Sequence, residues 1–125
     1  MRTNTNRLVG LLGSPIAHSL SPAMHNAAMK HLDLDMHYMA FDVKGEKLVS
    51  ALEGMASLGA VGTNITVPHK EGAFQWVDEL APSAEKAGAV NTVLFREGKN
   101  IGHNTDITGV REVLSRFRPD GKRAM

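Results

Sequence analysis

Lys70 and Asp106 are the residues of this sequence best suited to moving a proton. An ammonium group can protonate a developing alkoxide or, deprotonated, take a hydroxyl proton, and a carboxylate beside it fixes its position. Lys70 closes the string Gly62-Thr63-Asn64-Ile65-Thr66-Val67-Pro68-His69-Lys70, at the exit of a strand-like run. Within that run Asn64 and Thr66 alternate onto one face, where a buried amide or hydroxyl needs a partner from backbone or ligand. Asn91 opens a second such run, and Asp106 closes the string Gly102-His103-Asn104-Thr105-Asp106. Ser19 and Ser21, one residue apart, stand where a helix should begin. Two hydroxyls beside free N–H groups and a partial positive charge suit a carboxylate. Each position also has a plainer reading: Ser21 and Asp106 as helix N-caps, Ser19 as loop, Lys70 as a solvated surface lysine.

Other chemistries find little support. There is no cysteine among the 125 residues, hence no disulfide framework, thiolate nucleophile or cysteine zinc site. His18, His25, His31, His37, His69 and His103 lack metal-ligand spacing, so no metal is expected. Nothing resembles a nucleophile elbow. The formal net charge of +1 gives no field for nucleic acid or an anionic membrane. No apolar run approaches the roughly 18 residues of a membrane span. A composition 42% hydrophobic and 22% charged is that of one ordinary globular domain.

The elements that must position these residues alternate between strand and helix. Leu8–Leu12 is a nearly all-apolar run, as in a strand covered on both faces. Ser21-Pro22 predicts a helix start, with Met24, Ala27, Ala28 and Leu32 on its packed face. His37–Val43 and Val61–Val67 read as strands, flanking a helix over Leu48–Ala56 that Gly59 should end. A helix over Glu71–Asp78, a break at Pro82-Ser83 and a helical turn at Ala84–Ala87 follow. Asn91–Phe95 and Ile101–Asn104 then read as paired strands around the turn 96–100. A final helix from about Asp106 buries Val110, Val113, Leu114 and Phe117. The expected fold is α/β: a three-layer sandwich whose mostly parallel, partly mixed sheet is flanked by helices. In such sheets sites lie at the carboxyl ends of strands.

Ser19-Leu20-Ser21-Pro22 with His25-Asn26, then GTNITVPHK, AGAVNTV and GHNTD, resemble the shikimate dehydrogenase family in order and spacing, from about Val9 to Phe117. The resemblance implies a substrate-binding domain for shikimate or 3-dehydroshikimate, facing a separate nucleotide domain. Ser19 and Ser21 would hold the carboxylate. Asn64, Thr66, Asn91 and Asp106 would bind ring hydroxyls. Lys70 and Asp106 would be the catalytic pair, with Lys70 protonating the alkoxide as hydride reaches the ketone. The cofactor implied is NADP(H), sometimes NAD, and the setting cytoplasmic biosynthesis of aromatic amino acids through chorismate. Residues 1–118 would form the substrate domain and 119–125 a linker into a Rossmann domain, whose glycine-rich phosphate loop does not occur here. The chain alone is thus expected to bind no cofactor and to be inactive. Ile107-Thr108 precede Gly109, where the family commonly has glycine directly after the aspartate, which leaves quinate as a competing substrate. A stand-alone binding or sensor module for such acids is the other reading; the Lys70/Asp106 pair favours an enzyme.

Overall fold

The computed structural model of the chain describes residues 7–106. The helix expected to bury Val110, Val113, Leu114 and Phe117, the Ile107-Thr108 pair and the 119–125 linker lie outside them.

The strands are β1 (Arg7–Gly13), β2 (Met36–Asp42), β3 (Gly62–Ile65), β4 (Glu79–Leu80), β5 (Thr92–Arg96) and β6 (Lys99–His103). The helices are α1 (Ser21–His31), α2 (Leu48–Ser57), α3 (Lys70–Trp76) and α4 (Pro82–Ala87). The sheet runs in the order β2-β1-β3-β5-β6-β4. β1 pairs in parallel with β2 and β3, and β4 in parallel with β6, while β5 is antiparallel to both β3 and β6. Among the described strands β5 alone opposes the common direction.

Side-chain alternation along β1 separates the two faces of the sheet. On one face Leu12 packs with Leu48, Leu52 and Met55 of α2, Ala73 of α3 and Ala84 of α4, together with Ile65 and Val93. Leu12, Leu52, Ile65 and Val93 are at most 2% exposed, each contributing about 1.5–3 kcal/mol by burial. On the opposite face Tyr38, the register partner of Val9, stacks under His25 of α1 with ring centroids 4.4 Å apart. Helices therefore cover both faces, giving the three layers expected of this α/β sandwich.

The first helix departs from its predicted packing. Met24 and Leu32 are 62% and 64% exposed, and no residue of α1 is fully buried. What α1 contributes to the sheet is polar. The Asn26 side chain donates to the Tyr38 carbonyl at 2.9 Å and accepts from the Tyr38 N–H at 2.8 Å, satisfying the open edge of β2. An apolar periodicity rule does not see such a clamp.

Other boundaries shift for identifiable reasons. Ser21 is the first residue of α1 and not its cap; Leu20 holds the cap position without a side-chain bond. β3 ends at Ile65, although Thr66 N–H still reaches the Leu12 carbonyl and Ser14 N–H the Val67 carbonyl. Pro82 opens α4 rather than breaking the chain, since the first helical turn needs no N–H from it. The hairpin turn is Glu97-Gly98, tighter than the span 96–100, with φ of 52° and 76° at the two residues. A two-residue turn that matches strand twist requires positive φ at both, which glycine adopts freely. β4 has two residues and exists through its pairing with β6, which no local pattern foretells.

Candidate active site

The loops that follow β1 and β3 meet at the carboxyl ends of those strands. Gly13 permits this: a Cβ there would lie 2.4 Å from Thr66 Cγ2 and 3.1 Å from the Val67 carbonyl. Between the loops lies a cleft of about 460 Å³. Ser19, Ser21, Asn64, Thr66, Lys70, Asn91 and Asp106 all line it. The structure thus gathers every predicted site residue into one cavity, although they come from four separate stretches of chain.

Lys70 is the first residue of α3, just beyond the Thr66–His69 turn. Its backbone is anchored on both sides: the Val90 N–H donates to the Lys70 carbonyl at 3.0 Å, and the preceding His69, 2% exposed, donates Nε2–H to the Val43 carbonyl. The Lys70 ammonium lies 2.8 Å from Asp106 Oδ2, with the side chains 33% and 54% exposed. An ion pair this wet contributes at most about 1 kcal/mol to folding. Stability is a poor reason for the pair; placing a proton donor beside a carboxylate in a cleft is a better one. The Asp106 N–H is satisfied by Asn104 Oδ1 at 2.9 Å, and its carboxylate accepts from Lys70.

Elsewhere in the lining, the Ser21 N–H donates to Ser19 Oγ at 3.2 Å, and Pro22 brings no N–H at all. The start of α1 therefore offers fewer open donors than expected, and an anion here depends on the two hydroxyls.

Asn64 and Asn91 hold the cleft wall. Asn64 Oδ1 accepts from the Tyr38 hydroxyl at 2.8 Å, and its Nδ2 donates to Thr92 Oγ1 at 3.1 Å and the Asn91 carbonyl at 3.5 Å. Asn91, 8% exposed, accepts at Oδ1 from the Thr105 N–H and the Thr92 hydroxyl, both at 3.0 Å, and donates from Nδ2 to Thr105 Oγ1 at 2.8 Å. Asn91 is largely committed to the scaffold and straps the Thr105–Asp106 segment onto β5.

Tyr38 is the residue that sequence reasoning missed. It is 3% exposed, lines the cleft and is the single tyrosine of the chain. β2 also carries His37 and Asp42, so no lone polar exception marked Tyr38 in the sequence. Burial pushes the Tyr38 phenol above its ordinary value, and a hydrogen bond to the Ser21 side chain opposes part of the rise. A raised phenol favours the neutral form, so its stabilising contribution is complete below the unfolded value of about 10. It is lost as pH climbs through the higher folded value. Spectrophotometric titration of the phenolate should therefore give a midpoint above that of free tyrosine; a midpoint at or below it would contradict this environment.

The family model for the shikimate dehydrogenase substrate binding domain matches residues 11–93, more than half of the chain. The chain belongs to the shikimate dehydrogenase family. A curated relative, the NADP(+) shikimate dehydrogenase of Bacillus mycoides, is 49% identical over 114 residues, covering 91% of this chain and 41% of the relative. The crystal structure of shikimate 5-dehydrogenase from Listeria monocytogenes, in complex with shikimate and NAD, superposes with a TM-score of 0.85 at 41% identity. The match covers 92% of this chain and 40% of that one. A ligand-free 5-ketofructose reductase of Gluconobacter sp. strain CHM43 superposes with a TM-score of 0.89 at 39% identity, over 97% of this chain and 44% of that one. The chain thus spans less than half the length of these family relatives.

No strand-to-helix turn among the described residues has the glycine-rich form that cradles a pyrophosphate. The turn after β1 carries Pro15 and the turn after β3 carries Pro68. The described residues do not fit a dinucleotide; what they can do is bind, orient and transfer a proton. Among them no group of three His, Asp or Glu side chains could hold a metal ion, and no helix is long and apolar enough to cross a membrane.

Proposed function

We propose that this chain is the substrate-binding and proton-transfer part of an NADP-dependent shikimate dehydrogenase, which interconverts 3-dehydroshikimate and shikimate on the route to chorismate in the cytoplasm. Residues 1–118 form the substrate domain, and the remainder leads into a nucleotide-binding domain. The observation that carries the reading is the Lys70–Asp106 contact of 2.8 Å in a cleft that Ser19 and Ser21 also line. A small hydroxy acid fits that layout, carboxylate to the serines and reacting oxygen to Lys70. Asn64, Thr66 and Asn91 line the same cleft, where ring hydroxyls would lie. Lys70 gives its proton to the oxygen as the ketone is reduced, or takes it in the reverse direction, while Asp106 holds the ammonium in place. The cofactor supplies hydride from outside residues 7–106. The Bacillus mycoides relative is named for NADP(+), whereas the Listeria structure holds NAD, and the reading follows the former.

The full-length protein carrying this domain should reduce 3-dehydroshikimate with NADPH and prefer shikimate to quinate in the reverse direction. Quinate adds a hydroxyl at a tetrahedral carbon beside the carboxylate, so room near Ser19 and Ser21 decides the outcome. Steady-state kinetics on both acids tests this. A kcat/KM for quinate about tenfold or more above that for shikimate would overturn the preference. Turnover of neither acid, alongside turnover of a keto sugar such as the Gluconobacter reductase's substrate, would overturn the reading itself.

A further inference from the structure

The polar contacts of the cleft form one directed chain. The Asn91 backbone carbonyl can only accept, so the Asn64 amide nitrogen must face it and the Asn64 oxygen must face Tyr38. Tyr38 O–H is then the donor to Asn64, and Thr92 Oγ1, accepting from Asn64, donates onward to Asn91 Oδ1. Asn91 passes the order to Thr105, the neighbour of Asp106. At its start the phenol shares the cleft lining with Ser19 and Ser21. The order therefore runs from Tyr38 through Asn64, Thr92 and Asn91 to Thr105. It ends beside Asp106, the partner of Lys70.

We infer that Tyr38 is a positioning residue of the substrate site, whose hydroxyl fixes the Asn64 amide with its oxygen as the group offered to a ligand hydroxyl. This rests on the proposed reading of the cleft as a hydroxy-acid site. The phenol ring is held independently of its hydroxyl, by the stack on His25 and the Asn26 clamp on its backbone. Removing the oxygen alone should therefore leave the fold in place and release the amide.

The test is an NMR titration of the 125-residue chain with shikimate, run on wild type, Tyr38→Phe, Thr92→Val, Asn64→Ala and the Tyr38→Phe/Asn64→Ala double variant. Tyr38→Phe should raise Kd about 3- to 10-fold, the worth of one lost orienting hydrogen bond. Its thermal midpoint should stay within a few degrees of wild type. Thr92→Val, which releases the amide from its other side, should weaken binding in the same direction. In the Asn64→Ala background, Tyr38→Phe should change Kd by less than about twofold, because the amide it orients is gone. A Tyr38→Phe chain that binds within twofold of wild type overturns the inference while leaving the site reading intact. Losses that multiply in the double variant also overturn it, since Tyr38 then acts without Asn64. If Tyr38→Phe unfolds, the decision passes to Thr92→Val, and unweakened binding there overturns the inference. A wild-type chain that gives no response overturns the site reading and the inference with it.

Discussion

Replacing Lys70 with methionine in the full-length protein should lower kcat by roughly 10²- to 10⁴-fold, the usual contribution of a positioned general acid or base. Methionine keeps the apolar stem and removes the proton. KM for shikimate should move far less, because the serine and wall contacts are untouched. Folding should hardly notice: the ion pair with Asp106 is a third to a half exposed, so its loss costs at most about 1 kcal/mol. A variant that keeps more than about half of the wild-type kcat would remove Lys70 from the chemistry.

Asn91→Ala should be costly for a different reason. The amide is 8% exposed and serves three bonds, so truncation removes the side-chain partners of the Thr105 N–H, the Thr105 hydroxyl and the Thr92 hydroxyl together. Thr105 is exposed and Thr92 half-buried, so the expected loss is that of ordinary hydrogen bonds, about 0.5–1.5 kcal/mol of unfolding free energy for each. The strap that holds Asp106 against Lys70 also loosens, so kcat in the full-length protein should fall more than KM rises. Urea unfolding of the chain and steady-state kinetics read the two effects separately. A change below about 0.5 kcal/mol would show that Asn91 is not the anchor, a surface-like outcome for such a substitution.

That contrast marks how far the residue order alone reaches. The alternation of apolar strands and helices made the α/β sandwich legible. So did Asn64 and Thr66, polar at every second position of a strand that ought to be apolar, and the cleft indeed draws on both. The family strings located Ser19, Ser21, Lys70, Asn91 and Asp106, but could not separate the residues that face a ligand from those that hold the wall. Asn91 turned out to be mostly wall, and Tyr38 a wall residue placed where nothing local announces it. Both depend on contacts between segments distant in sequence, such as the register of β2 against β1 and of β3 against β5. The α1 face was misread for the same reason. Its docking uses an Asn26 clamp and a His25 stack instead of an apolar stripe, and the expected Met24 and Leu32 contacts face outward. β4 owes its existence to a partner strand some twenty residues away.

The claim at the centre of this account is that one cleft in this chain holds a hydroxy acid with its carboxylate at the serines and its ring hydroxyls toward Lys70. Chemical-shift mapping of isotopically labelled chain during a shikimate titration, with NADPH as a parallel ligand, tests it most directly. Few ligand atoms and a solvent-open site should give weak but saturable binding, with Kd between about 0.1 and 10 mM. The shifts should concentrate at Ser19, Ser21, Asn64, Thr66, Lys70 and Asp106, and NADPH should give no saturable response over the same range. Shikimate-induced shifts centred away from these residues, or none up to tens of millimolar, would contradict the account.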